Sequence, residues 1–229
     1  MIYKILDKFF QNDFSEEINS RIDKSKQKIV VFDIGCFIGN FSKKIKKILT
    51  NKNIEFYLFD PNPNLNIDGF KYKNIALSNK KGSFDYHLNT FFPSSGSSLK
   101  TIIRDDWLWN LTRKIVTFSF FKTFKTFKVN VDLLDNFCRE NKINNIDILK
   151  IDVEGSEIDV LEGADEILEK TNIIQIEIFD KKEMYEDKLK KIKTILIKKN
   201  FNLIKIKSTW SSQQFSGTKA GDALFVKKK

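Results

Sequence analysis

Ile29-Val30-Val31-Phe32-Asp33-Ile34 is a β-branched and aromatic run with no polar alternation, closed by Gly35. A strand with apolar side chains on both faces must be covered on both, which points to a parallel sheet between layers of helices. The segments that follow obey the same logic. Asn40 to Leu49 reads as a lysine-rich amphipathic helix. Ile54 to Phe59 reads as a second strand, stopped by Asp60-Pro61-Asn62-Pro63, because neither proline can donate to a sheet ladder. Phe70 to Ala76 predicts a third strand, and Asp132 caps a helix through Glu140. Ile146 to Ile151 predicts a strand, Ser156 to Lys170 a helix, Ile173 to Phe179 a strand and Glu183 to Lys199 a long basic helix. Phe201 to Ile206 and Ala223 to Val226 are two closing strands that can pair, with Gly217 and Gly221 marking their connection. This rhythm predicts an α/β fold: a mostly parallel sheet with a C-terminal antiparallel strand pair and helices on both faces.

Two stretches fall outside the rhythm. Residues 1–27 form an N-terminal lead-in in which Ile5, Leu6, Phe9, Phe10, Phe14 and Ile18 stand close to helical spacing. Residues 82–131 read as an insertion, since the strand–helix alternation resumes after them. Within it Ser83 to Leu88 alternates like an edge strand, Phe91 to Ser98 is a loop, and Thr101 to Arg113 predicts a helix carrying Trp107 and Trp109. Ile115 to Val131, with its alternating Thr, Phe and Lys, suits a hairpin with one buried face. At roughly 150 residues per domain as a soft guide, the whole chain 1–229 is expected to form one domain.

Composition excludes several classes. The chain has only two cysteines, Cys36 and Cys138, so no disulfide framework is expected and a reducing, cytoplasmic home is. Its most apolar stretch, Ile29 to Phe41, contains Asp33 and is too short to span a bilayer, and no secretory leader is expected because charge runs through the first 24 residues. His87 is the single histidine, which excludes paired-histidine metal sites. The formal net charge of +10 suggests nucleic acid until it is divided along the chain. Residues 1–131 hold 22 Lys/Arg against 12 Asp/Glu, residues 132–180 hold 4 against 14, and residues 181–229 hold 14 against 4. The basic residues are almost all lysine, with arginine only at 21, 104, 113 and 139. Arginine is the residue that forks onto phosphates and reads bases, so no nucleic-acid partner is expected.

Three motifs carry chemistry. In Asp33-Ile34-Gly35-Cys36-Phe37-Ile38-Gly39, a strand delivers a carboxylate and then a glycine turn that opens a helix. Bare backbone at a helix N-terminus lets a small ligand lie close. The pattern is D-x-G-x-x-x-G, without the middle glycine of a dinucleotide fingerprint, and Asp33 suits a cationic sulfonium ligand with an amino-acid tail better than a pyrophosphate. Asp60 ends the next strand, where a carboxylate can accept both hydroxyls of an adenosine ribose. That ribose belongs to NAD and S-adenosylmethionine alike. The third motif is Leu149-Lys150-Ile151-Asp152-Val153-Glu154-Gly155-Ser156-Glu157. Asp152 and Glu154 sit at a strand end, a costly place for unpaired charge, and Lys150 can neutralise one of them. Ser156 can cap the next helix, with Asp159 in the capping-box position, and Glu157 lies where the helix dipole favours a carboxylate.

This run, continued by Val160-Leu161-Glu162-Gly163-Ala164, resembles the signature of the FkbM-family S-adenosylmethionine-dependent methyltransferases. Other landmarks of that family occur in order: Asp33 to Gly39, Phe59-Asp60-Pro61-Asn62-Pro63, Asn74-Ile75-Ala76-Leu77-Ser78, Ser97-Ser98-Leu99, Val131-Asp132-Leu133-Leu134 and Ile176-Glu177. The family commonly has Ala-Asn in place of Cys36-Phe37 and Glu in place of Asp60. The resemblance implies a Rossmann-like class I methyltransferase sheet, with Asp33, Gly35, Gly39, Asp60, Asn62, Ala76 and Ser98 as the cofactor-binding set. It also implies O-methylation of a sugar, glycan or secondary-metabolite hydroxyl on a small-molecule or glycan acceptor; a nucleotide-linked acceptor is the secondary expectation that the lysine-rich flanks add.

For such a reaction Asp152 is the expected general base, with Glu154 as its alternative or as an orienter of Lys150 and substrate; His87 reads as a solvated strand residue. A magnesium ion between Asp152 and Glu177 is the less favoured reading, because two carboxylates alone do not establish a metal. The acceptor is expected to be shaped by residues 82–131. The rivals are a nucleic-acid methyltransferase or binder using the basic flanks, and a NAD-linked oxidoreductase that shares Asp60 but lacks the middle glycine.

Overall fold

A computed structural model describes residues 14–89, 97–100, 124–208 and 218–228. The helix expected over Thr101 to Arg113, with Trp107 and Trp109, and the first half of the lead-in lie outside these residues.

The chain runs α1 (Ser15–Arg21), β1 (Lys28–Ile34), α2 (Asn40–Ile48), β2 (Asn53–Phe59), β3 (Lys71–Lys73), β4 (Ala76–Leu77), β5 (Gly82–Asn89) and β6 (Phe124–Asp132). It continues with α3 (Leu134–Glu140), β7 (Ile146–Ile151), α4 (Glu157–Glu162), α5 (Asp165–Leu168), β8 (Thr171–Lys181), α6 (Lys182–Lys198), β9 (Phe201–Ser208) and β10 (Thr218–Lys227). Seven strands form one sheet in the order β3-β2-β1-β7-β8-β10-β9. All pair in parallel except β10, which lies antiparallel between β8 and β9. The expected parallel α/β sheet with an antiparallel terminal pair is therefore the fold.

Strand alternation divides the core in two. Ile29, Val31, Phe56, Leu58, Ile148, Ile173 and Leu224 pack on one face with Phe14 just before α1, Ile18 of α1, and Phe41 and Ile45 of α2. Phe32, Tyr57, Phe59, Leu149, Ile151, Ile174 and Ile176 pack on the other, against α3, α4, α5 and the Tyr185–Leu189–Ile192–Leu196 stripe of α6. Strand order reverses between β1 and β7, and at such a switch point the strand ends leave a crevice.

The structure departs from expectation in three places. The strand anticipated over 70–76 splits: β3 joins the main sheet and β4 joins a second sheet of order β4-β6-β5. Asn74 makes the break, because its side-chain amide donates to the carbonyls of Asp60 and Asn62 instead of continuing a ladder. The single helix anticipated over 156–170 is two short ones. No side-chain capping bond starts α4; Ser156 Oγ is buried without a partner, and Glu157 takes the Gly155 N–H instead.

Gly163, between α4 and α5, sits where an added Cβ would lie 2.0 Å from the Ser78 carbonyl oxygen, just past β4. This is where the small sheet meets the main body. Gly163→Ala forces backbone apart and is expected to cost about 2 kcal/mol by overpacking. At about 2–4 °C per kcal/mol for a chain of this size, a calorimetric melting point should fall by roughly 4–8 °C. An unchanged melting point would show that this junction yields freely.

Candidate active site

The crevice at the switch point holds about 760 Å³ of atom-free space, part of it open to solvent. Its walls come from the β1–α2 turn (Gly35 to Ile38), the end of β2 (Phe59, Asp60), Ile75 to Leu77, Tyr86 and Ser97 to Leu99, and the turn after β7 (Asp152 to Glu154).

The turn after β1 is built for close approach. The N–H groups of Gly35 and Cys36 both donate to Phe59 O, at 2.9 and 3.1 Å, and Gly39 N–H returns to Cys36 O at 2.7 Å. Gly35 has φ +75° and Gly39 φ +73°, a region glycine enters at little cost. Phe37 shares it at φ +46°, and its N–H donates to Asp60 Oδ2 at 2.9 Å. Asp60 Oδ1 takes the Asn62 N–H at 2.9 Å. The Asp60 carboxylate thus pins the glycine turn to the end of β2 while lining the crevice. Burial pushes its pKa up to about 6, against the two backbone donors that favour the ionised form.

The expected cofactor residues separate into two groups. Gly35, Asp60, Ala76 and Ser98 line the crevice. Asp33, Gly39 and Asn62 are not among its lining residues and act beneath it. Asp33 is fully buried and accepts Ser42 Oγ–H at 2.7 Å; burial raises its pKa. Asn62 folds back, its Oδ1 accepting the Asn64 N–H at 3.0 Å. Cys36 is buried, and burial together with Asp33 and Asp60 raises its thiol pKa, so it contributes shape and no nucleophile. His87 bonds through its backbone to Ser98 and through its ring to Thr126, and it is not among the crevice-lining residues.

Across from Asp60 stands the acidic turn. Lys150 Nζ lies 2.8 Å from Asp152 Oδ2 and 3.8 Å from Asp33 Oδ1, answering the expectation that it neutralises a neighbouring acid. Burial pulls the Lys150 pKa down, but the charges of Asp152 and Asp33 outweigh that and raise it, so the ammonium stays charged. For Asp152, burial is outweighed by Lys150 and by a hydrogen bond with Glu177, and its pKa falls. Glu177 goes the other way: burial and the charges of Asp152 and Glu154 push it well above the carboxylate range. Glu177 Oε2 is shielded and takes no bond from a neighbouring donor, so a proton of its own makes its position tolerable. Asp152, Glu154 and Glu177 offer carboxylate oxygens within 4.8 Å of one another, a set a divalent cation could use. Lys150 stands beside the same cluster, paired with Asp152.

Sequence reasoning missed Tyr86, which lines the crevice from β5, and Lys188, which supports the acidic turn from α6. Buried Tyr86 and Leu88 alternate with exposed Asp85 and half-buried His87 on an edge strand, and that alternation is the signal that marks Tyr86 as inward-facing.

A family model described as the methyltransferase FkbM domain matches residues 33–203. The 2-O-methyltransferase NoeI of Sinorhizobium fredii (strain NBRC 101917 / NGR234) is 27% identical over 176 residues, covering 70% of this chain and 67% of that protein. The crystal structure of the methyltransferase FkbM from Methylobacillus flagellatus KT superposes with a TM-score of 0.50 at 10% identity over 98% of this chain. The chain spans 57% of that structure's length.

Proposed function

The chain belongs to the FkbM methyltransferase family, and from that premise we propose that it transfers a methyl group from S-adenosylmethionine to a hydroxyl of a sugar, glycan or secondary metabolite. The observation that carries this reading is one crevice with two unlike acidic walls: Asp60 on one side, and Asp152 with Glu154 on the other. A nucleoside needs the first and a hydroxyl acceptor needs the second. The similarity to a 2-O-methyltransferase supports oxygen as the methylated atom.

The residues fit the cofactor chemically. Asp60 is a buried carboxylate lining the crevice, suited to accept ribose hydroxyls, and Gly35 lets backbone without a side chain face the methionine end. Ala76 and Ser98 line the crevice as further contacts. S-adenosylmethionine supplies a methyl group on a positively charged sulfur. The chain must orient the acceptor and take its proton. Both expected carboxylates remain in this reading, with roles divided by environment. The Lys150 ion pair lowers the basicity of Asp152, which then serves as a fixed charge accepting a hydrogen bond from the acceptor hydroxyl. Glu154 is the proton acceptor.

The acceptor wall is assigned to the 82–131 segment, whose described part contributes Tyr86 and Ser97 to Leu99 to the crevice. The whole chain acts as one methyltransferase domain with that segment inserted. Among the described residues no helix is long and apolar enough to cross a membrane.

Calorimetry with S-adenosylhomocysteine tests the cofactor reading. Binding is expected, with none for NAD or for a polynucleotide at moderate salt. Affinity should also fall about tenfold from pH 7.5 to pH 5, because protonation of Asp60 near pH 6 removes the charge that accepts the ribose. Without ligand the sign reverses: the raised value means the buried carboxylate burdens the fold at neutral pH, a burden relieved as pH falls through about 6. Asp60→Asn should bind weakly at both pH values. A flat profile in the unsubstituted protein would remove Asp60 from the ribose site.

A further inference from the structure

Lys188 lies on the buried stripe of α6 with Tyr185, Leu189, Ile192 and Leu196, and is 6% exposed. Its ammonium donates to Gly155 O at 3.0 Å and to Phe179 O at 2.8 Å, and sits 2.5 Å from Oε2 of the fully buried Glu157. Glu157 Oε1 in turn accepts the Gly155 N–H at 2.7 Å. The N–H and the C=O of Gly155 are therefore held by the two halves of one buried ion pair.

What this pair holds is an unfavourable backbone. Glu154 has φ +50° and Gly155 φ +112°, and a side-chain-bearing residue enters the left-handed region only where its surroundings impose it. The other Lys188 contact, Phe179 O, lies on β8 two residues beyond Glu177. One ammonium thus ties the turn that presents Glu154 to the stretch of β8 that carries Glu177. A buried pair of this kind is seldom better for stability than apolar residues of the same volume, so its retention calls for a geometric reason.

We propose that Lys188, acting with Glu157, is a positioning residue for methyl transfer: it holds the Glu154–Gly155 turn so that the Glu154 carboxylate faces the acceptor. The proposal rests on Glu154 being the proton acceptor. It gives Glu157, at the start of α4, a second part as the other half of the clamp.

The test uses the full chain with Lys188→Met and, because a lone buried Glu157 charge could prevent folding, Lys188→Met combined with Glu157→Gln. Glutamine keeps an acceptor for the Gly155 N–H. Methyl transfer is measured from labelled S-adenosylmethionine to a panel of methyl glycosides. The expected result is a drop in kcat of at least tenfold, with KM for S-adenosylmethionine and affinity for S-adenosylhomocysteine within about twofold. In a Glu154→Gln background the same change should add less than twofold, since the residue it acts through is gone. Amide exchange at Gly155 should quicken by more than tenfold while core strands β1 and β7 stay protected. An unchanged kcat, a full multiplicative loss on top of Glu154→Gln, or unchanged Gly155 exchange each overturns the proposal. If Glu154→Gln alone leaves turnover intact, the proton-acceptor reading fails, and Gly155 exchange still shows separately whether Lys188 holds the turn.

Discussion

Gly35→Ala is expected to abolish S-adenosylhomocysteine binding and to destabilise the fold more than any other single methyl addition at the crevice. A Cβ at position 35 would lie 1.6 Å from the Asp152 carbonyl oxygen and 2.7 Å from its carbonyl carbon. These are backbone atoms and cannot swing aside. Relief requires prising β1 from β7 where Asp152 N–H donates to Ile34 O at 2.9 Å, which separates the two walls of the site. The φ of +75° adds a left-handed penalty for any side chain. Strain and overlap together should cost about 3 kcal/mol or more. Gly69 is the control, because it has φ +79° but open space around its would-be Cβ. Gly69→Ala should cost only about 1–2 kcal/mol, the backbone penalty alone, and leave binding intact. Melting points and calorimetric titrations of both variants separate strain from collision. If Gly35→Ala binds S-adenosylhomocysteine as the unsubstituted chain does, the close packing of these strand ends is not what shapes the crevice.

Glu154→Gln should lower kcat by about 10²–10⁴-fold, the usual contribution of a positioned general base, while affinity for S-adenosylhomocysteine changes by less than about threefold. The amide keeps the shape and the left-handed backbone of the turn but cannot take a proton. Asp152→Asn should behave differently. It removes the charge nearest Lys150, leaving Asp33 at 3.8 Å, and it takes away the ionised partner of Glu177. Turnover and melting point should therefore fall together, and the raised Glu177 pKa should relax downward as its chief charged neighbour disappears. Carboxyl titration by NMR reads that relaxation directly. Turnover unaffected by Glu154→Gln would pass the base role to Asp152 or dispense with a base altogether.

Much of this site was readable from residue order, because strand periodicity is local. Asp33, Asp60 and Asp152 lie at or just past the end of an apolar strand, Glu177 lies on β8 one residue past its last pairing with β7, and parallel strands bring their carboxyl ends to one edge of a sheet. The two roles of the acids were harder to read. Asp33 looked available to a ligand's ammonium group, yet it is fully buried and bonded to Ser42, because the helix that opens after Gly39 folds back over it. Glu157 does start α4, but its full burial against Lys188 could not be read from that position. Lys188 was hidden by its neighbours, since α6 carries lysine at 182, 190, 191, 193 and 198 as well. Only its place on the Tyr185–Leu189–Ile192 stripe separates it from the solvated ones.

The amino-acid sequence by itself determined the layered α/β fold, the family signature and the edge of the sheet where chemistry gathers. Each rests on short-range patterns: two-residue alternation, helical spacing, and glycine or proline at strand ends. The tertiary structure alone decided which acids face the crevice, which are buried beneath it and which are bound to lysine. Those outcomes depend on contacts such as Gly35 with Asp152, or Lys188 with Gly155, between segments that meet only once the sheet has closed. The charge of a carboxylate is written in the sequence; its burial and its partners, which set its chemistry, are properties of the packed molecule.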